Sequence, residues 1–256
     1  MSEIILMTGM EHSGTTYLSN LLKCHPKIAG GFEGGMLLAN SPNEFPGIEP
    51  FYKWTLKKPP VQWGLNQEQL DNICKSKTWA DMYSSIKNYS PLFDNDQLIL
   101  DKTPAYMPVL DSVMEKINSK CIVIFKNSLY QYTSYKKRNI SINDYLGRYL
   151  SYLKGFLAAY NKYHDRLFIL NHNSLGQNQQ KIIHGIISFL GLEYDPEYFL
   201  KDIFDKPLPP NVLRENYSYD VEQKAQKELS LQEIELLEKY SQDALLNKIV
   251  TKIHQN

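Results

Sequence analysis

Ile4-Ile5-Leu6-Met7-Thr8-Gly9-Met10-Glu11-His12-Ser13-Gly14-Thr15-Thr16-Tyr17-Leu18 is the stretch from which the rest of the chain is read. Ile4 to Met7 is a short apolar run, Thr8 to Gly14 is a turn with a glycine near each end, and Tyr17, Leu18, Leu21 and Leu22 then fall at helical spacing. The pattern predicts strand, loop, helix. A loop that leaves a strand and opens a helix gathers backbone N–H groups and the positive end of the helix at one place, where an anion can sit. Gly9, Glu11, His12, Ser13, Gly14, Thr15, Thr16 and Tyr17 are therefore the candidate anion-binding residues. The spacing fits the nucleoside-triphosphate loop G-x-x-x-x-G-K-[ST], but Thr15 stands where the lysine that reaches the β and γ phosphates belongs.

Further parallel strands are expected at Ile28 to Glu33, Leu98 to Leu100, Cys121 to Phe125 and Leu167 to Leu170, most of them apolar on both faces. Helical patterns lie between and after them, at about Tyr106 to Ile117, Leu129 to Arg138, Ile142 to Tyr163, Gln177 to Leu190 and Leu231 to Ile253. Strands alternating with helices predict an α/β fold: a three-layer, doubly wound domain with a mainly parallel central sheet, helices on both faces and a helical C-terminal segment. Residues 41–66 break the rhythm with Pro42, Pro46, Pro50, Pro59 and Pro60 among the aromatics Phe51, Tyr52, Trp54 and Trp63, and read as an insertion or lid. Pro207, Pro209 and Pro210 mark a second break, so 205–256 reads as a C-terminal extension on a single domain spanning 1–256.

Lysine plus arginine and aspartate plus glutamate number 28 each, so bulk charge draws the chain neither to nucleic acid nor to an anionic membrane. Any anion must be held locally. Cys24, Cys74 and Cys121 are odd in number and far apart, without disulfide or metal-ligand spacing, and no metal is expected. Neither a secretory leader nor a membrane span is legible, which gives a cytoplasmic expectation.

His12-Ser13-Gly14-Thr15-Thr16, followed at the right distance by His25-Pro26, resembles the loop of the PAPS-dependent sulfotransferases, in which a basic residue precedes S/T-G-T-T and an HP pair comes about ten residues on. The style is that of the glycan, tyrosylprotein and bacterial members, with a phosphate-loop-like fold. The resemblance implies 3′-phosphoadenosine 5′-phosphosulfate (PAPS) as sulfuryl donor, adenosine 3′,5′-bisphosphate as product, and His12 at the place of the family's Lys or Arg, stabilising charge on the bridging oxygen. A donor with one phosphate and one sulfate needs no magnesium bridge, and hydroxyls with peptide N–H groups suffice to hold it.

Glu33, in Gly30-Gly31-Phe32-Glu33-Gly34-Gly35, ends an apolar run and is expected to project from the C-terminal edge of a strand beside the loop. A carboxylate there can take the acceptor's proton, and it matches the position of the family's catalytic glutamate. Glu11 and Glu44 are weaker rivals. Leu98-Ile99-Leu100-Asp101-Lys102-Thr103-Pro104 resembles the family's K-[ST]-P element, so Lys102 is expected to meet charge on the transferring sulfuryl oxygens, with Asp101 as its conceivable ion-pair partner. Thr103 and Pro104 also read as a helix cap and first helical residue.

Lys126 at the end of the fourth strand and Ser134 eight residues later resemble the family's R-D-P-R-x-x-x-x-S, which binds the 3′-phosphate, with Lys126, Asn127 and Ser128 replacing Arg, Asp and Pro. The charge survives; the bidentate fork does not. Arg166 to Leu175 and Phe189-Leu190-Gly191-Leu192 resemble the late strand, turn and helix end of the family, with His172 in the turn, and Arg214 is a candidate for closing over the donor. The acceptor is a hydroxyl or amine, a carbohydrate among the options, and Trp54 and Trp63 either stack on it or pack the insertion onto the core. Two other readings stand beside sulfuryl transfer: a phosphate-loop nucleotide kinase or hydrolase, and a catalytically weak PAPS- or nucleotide-binding module.

Overall fold

A computed structural model describes residues 3–56, 62–199 and 227–253. The strands are β1 (Ile4–Thr8), β2 (Ile28–Ala29), β3 (Leu98–Lys102), β4 (Lys120–Phe125) and β5 (Leu167–Asn171), and all their pairings are parallel in the order β2-β3-β1-β4-β5. The helices are α1 (Thr15–Leu22), α2 (Phe51–Thr55), α3 (Gln67–Ile73), α4 (Trp79–Tyr89), α5 (Leu110–Lys116), α6 (Ser128–Lys136), α7 (Ile142–Tyr163), α8 (His172–Gln177), α9 (Gln179–Leu190), α10 (Leu231–Tyr240) and α11 (Asp243–Ile253).

Alternate strand residues face opposite sides of the sheet. Leu6, Ile99, Cys121, Val123, Phe125 and Ile169 join one buried core with side chains of α3 to α7, α10 and α11. Ile5, Met7, Leu100, Ile122, Ile124 and Leu170 join a second core with α1, α8 and α9. The strands are apolar in both alternations because both faces are covered, and the doubly wound α/β fold expected from the sequence is the one observed.

The chain leaves β1 toward β2 on one side of the sheet and leaves β4 toward β5 on the other. A crevice therefore opens above the carboxyl ends of the adjacent strands β1 and β4, the place where open α/β sheets bind ligands. The loops carrying His12 and Lys126 flank it.

Three details differ from expectation. The strand read over Ile28 to Glu33 stops at Ala29, and β3 lies between β2 and β1, so Glu33 comes from a loop after a strand two places from the phosphate loop rather than from its neighbour. Gly30 presses so close to β3 that a Cβ there would lie 2.2 Å from the Leu100 carbonyl oxygen, and beyond it the chain turns away with the Phe32 carbonyl accepting from the indole N–H of Trp63 at 2.7 Å. The C-terminal pattern is two helices, because Ser241 is extended and the Gln242 N–H donates to the Tyr149 hydroxyl at 3.2 Å. Residues 67–89, unassigned from periodicity, form α3 and α4, each started by a side-chain cap: Asn66 with Gln69, and Thr78 accepting from the Asp81 N–H.

The described part of the 41–66 segment is anchored in the core rather than laid over it. Phe45 and Trp63 are wholly buried, and two stretches, Pro42–Gly47 and Phe51–Thr55, are helical turns. Among the described residues no helix is long and apolar enough to cross a membrane. Pro207, Pro209, Pro210 and Arg214 lie outside the described residues.

Candidate active site

The phosphate loop is shaped by two residues with positive φ, His12 at 65° and Gly14 at 88°, the latter forming the N-cap of α1. Glycine tolerates this backbone at no steric cost. At Gly14 there is also no space: a Cβ would fall 2.4 Å from the His172 ring, which closes the loop from the side of β5 and α8. The first N–H groups of α1 have no intrahelical partner by the geometry of a helix start, and they face the crevice end of the sheet.

An acid inside an anion loop ought to repel the ligand, and Glu11 avoids this by turning away. Its carboxylate accepts from the hydroxyls of Tyr135 at 2.8 Å and Tyr152 at 2.6 Å, and its carbonyl accepts from the Gln131 amide at 2.8 Å. Burial and the nearby carboxylate push both tyrosines up, so they stay protonated donors. Ser13 is also turned inward: its N–H donates to the Met10 carbonyl at 3.2 Å and its hydroxyl accepts from Gln131 at 2.8 Å. The Thr15 methyl lies against Gly9, and the Tyr17 hydroxyl donates to Gln179 at 2.6 Å, at the start of α9.

His12 sits edge-on to the Tyr135 ring, with 5.0 Å between ring centres. Burial first, and then the positive charge of Arg138, lower its pKa to about 4; Glu11 opposes the shift and Lys126 adds to it. The imidazole is therefore neutral near pH 7 and offers an N–H rather than a fixed charge. His172 is lowered likewise to about 4, by burial and then by the charge of Lys126. Lys126, Arg138, His12 and His172 thus share one basic neighbourhood at the crevice.

Lys102, at the end of β3, is the point where the second strand's loop and the phosphate loop meet. Its ammonium donates to Glu33 Oε1 at 2.9 Å and reaches Thr16 Oγ1 at 3.5 Å, while lying 4.7 Å from the centre of the Phe32 ring. The Lys102 side chain is 3% exposed and that of Glu33 20%, so the pair is sheltered yet open at its acidic end. Sequence separations of 69 and 86 residues are closed by this one cation.

Asp101 does not pair with Lys102. Neighbouring strand residues point to opposite faces, and Asp101 accepts from Tyr83 at 2.5 Å, Tyr106 at 2.7 Å and Thr103 at 2.8 Å in full burial. Burial raises its pKa against the pull of these donors. Thr103 occupies the N-cap position but its hydroxyl is spent on Asp101 and on the Gly35 N–H at 3.1 Å, whereas Pro104 does take the first helical position. The network ties the loop that carries Glu33 to the carboxyl end of β3. Trp63 clamps the same loop from below, its ring so near Gly31 that a Cβ would come within 2.8 Å.

Ser134 lies on α6, partly buried, and its carbonyl accepts from Arg138 at 2.7 Å. Lys126 follows β4 and lines a small cavity beneath the phosphate loop with Ser13, Gln131 and Leu246. His25 is structural: one ring nitrogen pairs with the Glu193 carbonyl at 2.9 Å and the other accepts from the Lys27 N–H at 3.0 Å, which pins the end of α1 to the turn after α9. Glu44 bonds to Asn40 and Ser41 on the surface, apart from the crevice. Gln131, Arg138 and Phe32 are contacts that motif reading passed over. Gln131 and Arg138 sit one helical turn to either side of the Ser134 region, so helix spacing alone was a usable signal. Among the described residues no group of His, Cys, Asp and Glu is arranged to hold a metal ion.

A parallel sheet of order 2-3-1-4-5 with an anion loop after its central strand defines a phosphate-loop α/β protein. The sequence matches the model of the sulfotransferase family over residues 5–196, and the chain belongs to that family, whose reaction is sulfuryl transfer. Among solved structures it is similar in fold to the sulfotransferase domain of the Synechococcus PCC 7002 olefin synthase, at 18% identity over 93% of this chain and 94% of that one, with a TM-score of 0.58. It is similar also to the sulfotransferase domain of the curacin biosynthetic pathway, at 16% identity over 99% and 98% of the two chains with a TM-score of 0.59. Sulfotransferase STF9 from Mycobacterium avium aligns at 11% identity over 92% and 75%, with a TM-score of 0.52. Among curated proteins nothing matches.

Proposed function

We propose that the protein moves a sulfuryl group from PAPS to a hydroxyl or amine acceptor by in-line displacement. One observation carries the reading: Lys102 joins the carboxylate of Glu33 to the hydroxyl of Thr16, so a base, a cation and the anion loop converge on one point. The residues present suit such a donor. Glu11 is turned out of the loop, no side chain caps the amino end of α1, and Lys126, Ser134 and Arg138 lie after β4, on α6 and just past its end. Lys126 and Ser134 are assigned to the 3′-phosphate. Arg214, outside the described residues, keeps its assignment as a basic residue closing over the donor.

The donor supplies an activated sulfur, and the protein's groups do the rest. Glu33 takes the acceptor's proton as the new O–S bond forms; Lys102 meets the charge on the sulfuryl oxygens; an N–H of His12 meets the phosphate oxygen released as the old O–S bond breaks. Catalysis is then mainly orientation and preorganised charge. Thr15, whose methyl rests on Gly9, supplies no cation for a triphosphate, which disfavours the kinase or hydrolase reading.

Transfer of labelled sulfur from PAPS to a panel of alcohols and amines, together with calorimetric binding of adenosine 3′,5′-bisphosphate, tests this. Glu33→Gln is expected to lower kcat by about 10²- to 10⁴-fold with the bisphosphate affinity unchanged. A bisphosphate that fails to bind at millimolar concentration overturns the donor assignment, and an undiminished kcat in Glu33→Gln overturns the base.

A further inference from the structure

We propose that Gln131, on α6, is a positioning residue: it fixes the backbone of the phosphate loop on both sides of His12 and so aims the imidazole at the oxygen that leaves sulfur. This rests on the sulfuryl-transfer reading of the loop and adds to it a residue that acts through His12 rather than on the donor.

A φ of 65° is uncommon for a residue that carries a Cβ, and His12 holds it. Such a backbone persists only where its surroundings over-determine it. The residues on either side of His12 show what does so. The Gln131 amide nitrogen donates to the Glu11 carbonyl and to the Ser13 hydroxyl, both at 2.8 Å, so one planar group bridges the positions before and after the histidine. The Ser13 N–H donates to the Met10 carbonyl at 3.2 Å and closes the turn from within. A carbonyl oxygen only accepts, which fixes the NH₂ of Gln131 toward the loop and its Oε1 away from it, where the Tyr145 hydroxyl donates at 3.2 Å.

Gln131 is 1% exposed, and both polar ends of its amide are engaged by these partners, so the group supports and does not react. In full burial water cannot replace a lost donor, and the Glu11 carbonyl would be left without it. Tyr135, one helical turn further along α6, completes the grip: its hydroxyl donates to the Glu11 carboxylate at 2.8 Å and its ring meets His12 edge-on with centres 5.0 Å apart. A loop borne on β1 is thus shaped by the helix that follows β4. Ser134, assigned to the 3′-phosphate, sits on that same helix, so one rigid element serves both ends of the donor.

Gln131→Met keeps the reach of the side chain and removes the donor. Two measurements read the result. In a histidine-labelled NMR titration, with the His12 signal assigned by its loss in His12→Gly, Gln131→Met is expected to move the His12 titration from about 4 toward the ordinary 6.5, because a loosened loop gives up the burial that chiefly lowers it. The charges of Arg138, Lys126 and Glu11 around the ring are the same in both proteins. In a double-mutant cycle on sulfuryl transfer from PAPS, Gln131→Met is expected to lower kcat about ten- to a hundredfold in the otherwise unaltered chain. In His12→Gly the same change is expected to cost less than about threefold, since glycine adopts this backbone unaided and no imidazole is left to aim. A glutamine that merely stabilises the fold costs the same in both backgrounds. Should Gln131→Met fail to fold, Tyr145→Phe, which removes the hydroxyl that orients the amide, takes both measurements with a smaller shift in the same direction. An unmoved His12 titration, or equal kcat losses in the two backgrounds, overturns the proposal. If adenosine 3′,5′-bisphosphate does not bind the unaltered protein, the donor reading fails instead, and the titration alone decides whether Gln131 holds the loop.

Discussion

His12 lies in the phosphate loop and His172 packs against Gly14 of the same loop, and both are held near pKa 4 by burial in a basic neighbourhood. In the unfolded chain each returns to the ordinary value of 6.5. Below that value the unfolded state binds more protons than the native one, so stability falls as pH drops from about 6.5 toward 4 and is unaffected by these groups above pH 7. Denaturant midpoints at pH 7.5, 5.5 and 4.5 should show this decline, and His172→Asn should flatten it. An anion seated beside His12 favours the imidazolium, so binding of adenosine 3′,5′-bisphosphate is expected to take up protons as pH falls below 6 toward the value of about 4 that the free site holds. Calorimetry in two buffers of different ionisation enthalpy measures the uptake. His12 was legible as the residue standing in the family's basic position, but its neutrality was not, because the burial that chiefly sets it and the charges of Arg138 and Lys126 that add to it come from the folded chain, the two cations more than a hundred positions away.

The loop from Gly30 to Leu37 is the element on which the chemistry turns, and its conformation comes from what surrounds it more than from its own residues. Trp63 lies beneath Gly31 and Gly34, Phe51 covers Gly35, and the Asp101 network holds the Gly35 N–H through Thr103. Gly31→Ala places a methyl carbon within 2.8 Å of the indole and requires Trp63, fully buried, to move. Overpacking of this kind costs about 1–3 kcal/mol. The expected result is a lowered denaturant midpoint accompanied by a kcat loss larger than the stability loss explains, since Glu33 moves with the loop. The glutamate itself was legible as an acid at a strand end. The reach from two strands away was not, because a run of apolar residues and glycines looks the same whether it continues in a sheet or peels off it after two residues. The helices of 67–89 were missed for the opposite reason: their caps, Asn66 with Gln69 and Thr78 with Asp81, are sequence-local, but short helices give weak periodicity.

Across the whole molecule, the C-terminal helices are fastened to the site's support. Asp243, at the start of α11, accepts from the N–H of Ser128 at 2.9 Å, its hydroxyl at 2.8 Å and the Tyr149 hydroxyl at 3.1 Å, capping α6 from a part of the chain 115 residues later. Lys136 and Lys137 on the same helix region pair with Glu233 and Glu228. Asp243→Ala removes a cap and leaves a helix start unsatisfied, at a cost of about 1–2 kcal/mol. The checks are a fall in the urea midpoint and weaker adenosine 3′,5′-bisphosphate binding as α6, with Ser134, frays. An affinity unchanged despite the lost stability would separate α6 from the donor site.

What the sequence determined by itself was local and periodic. The apolar runs and helical spacings set a doubly wound parallel sheet, and the glycines and hydroxyls from Gly9 to Thr16 set an anion loop at its first turn, since backbone permissiveness and helix-end polarity belong to contiguous residues. Only the folded chain decided which charges meet. That Lys102 chooses Glu33 and not the adjacent Asp101, that Glu11 turns out of the loop, and that Asp243 caps a distant helix all follow from strand order and side-chain direction, which bring together groups that no spacing along the chain relates.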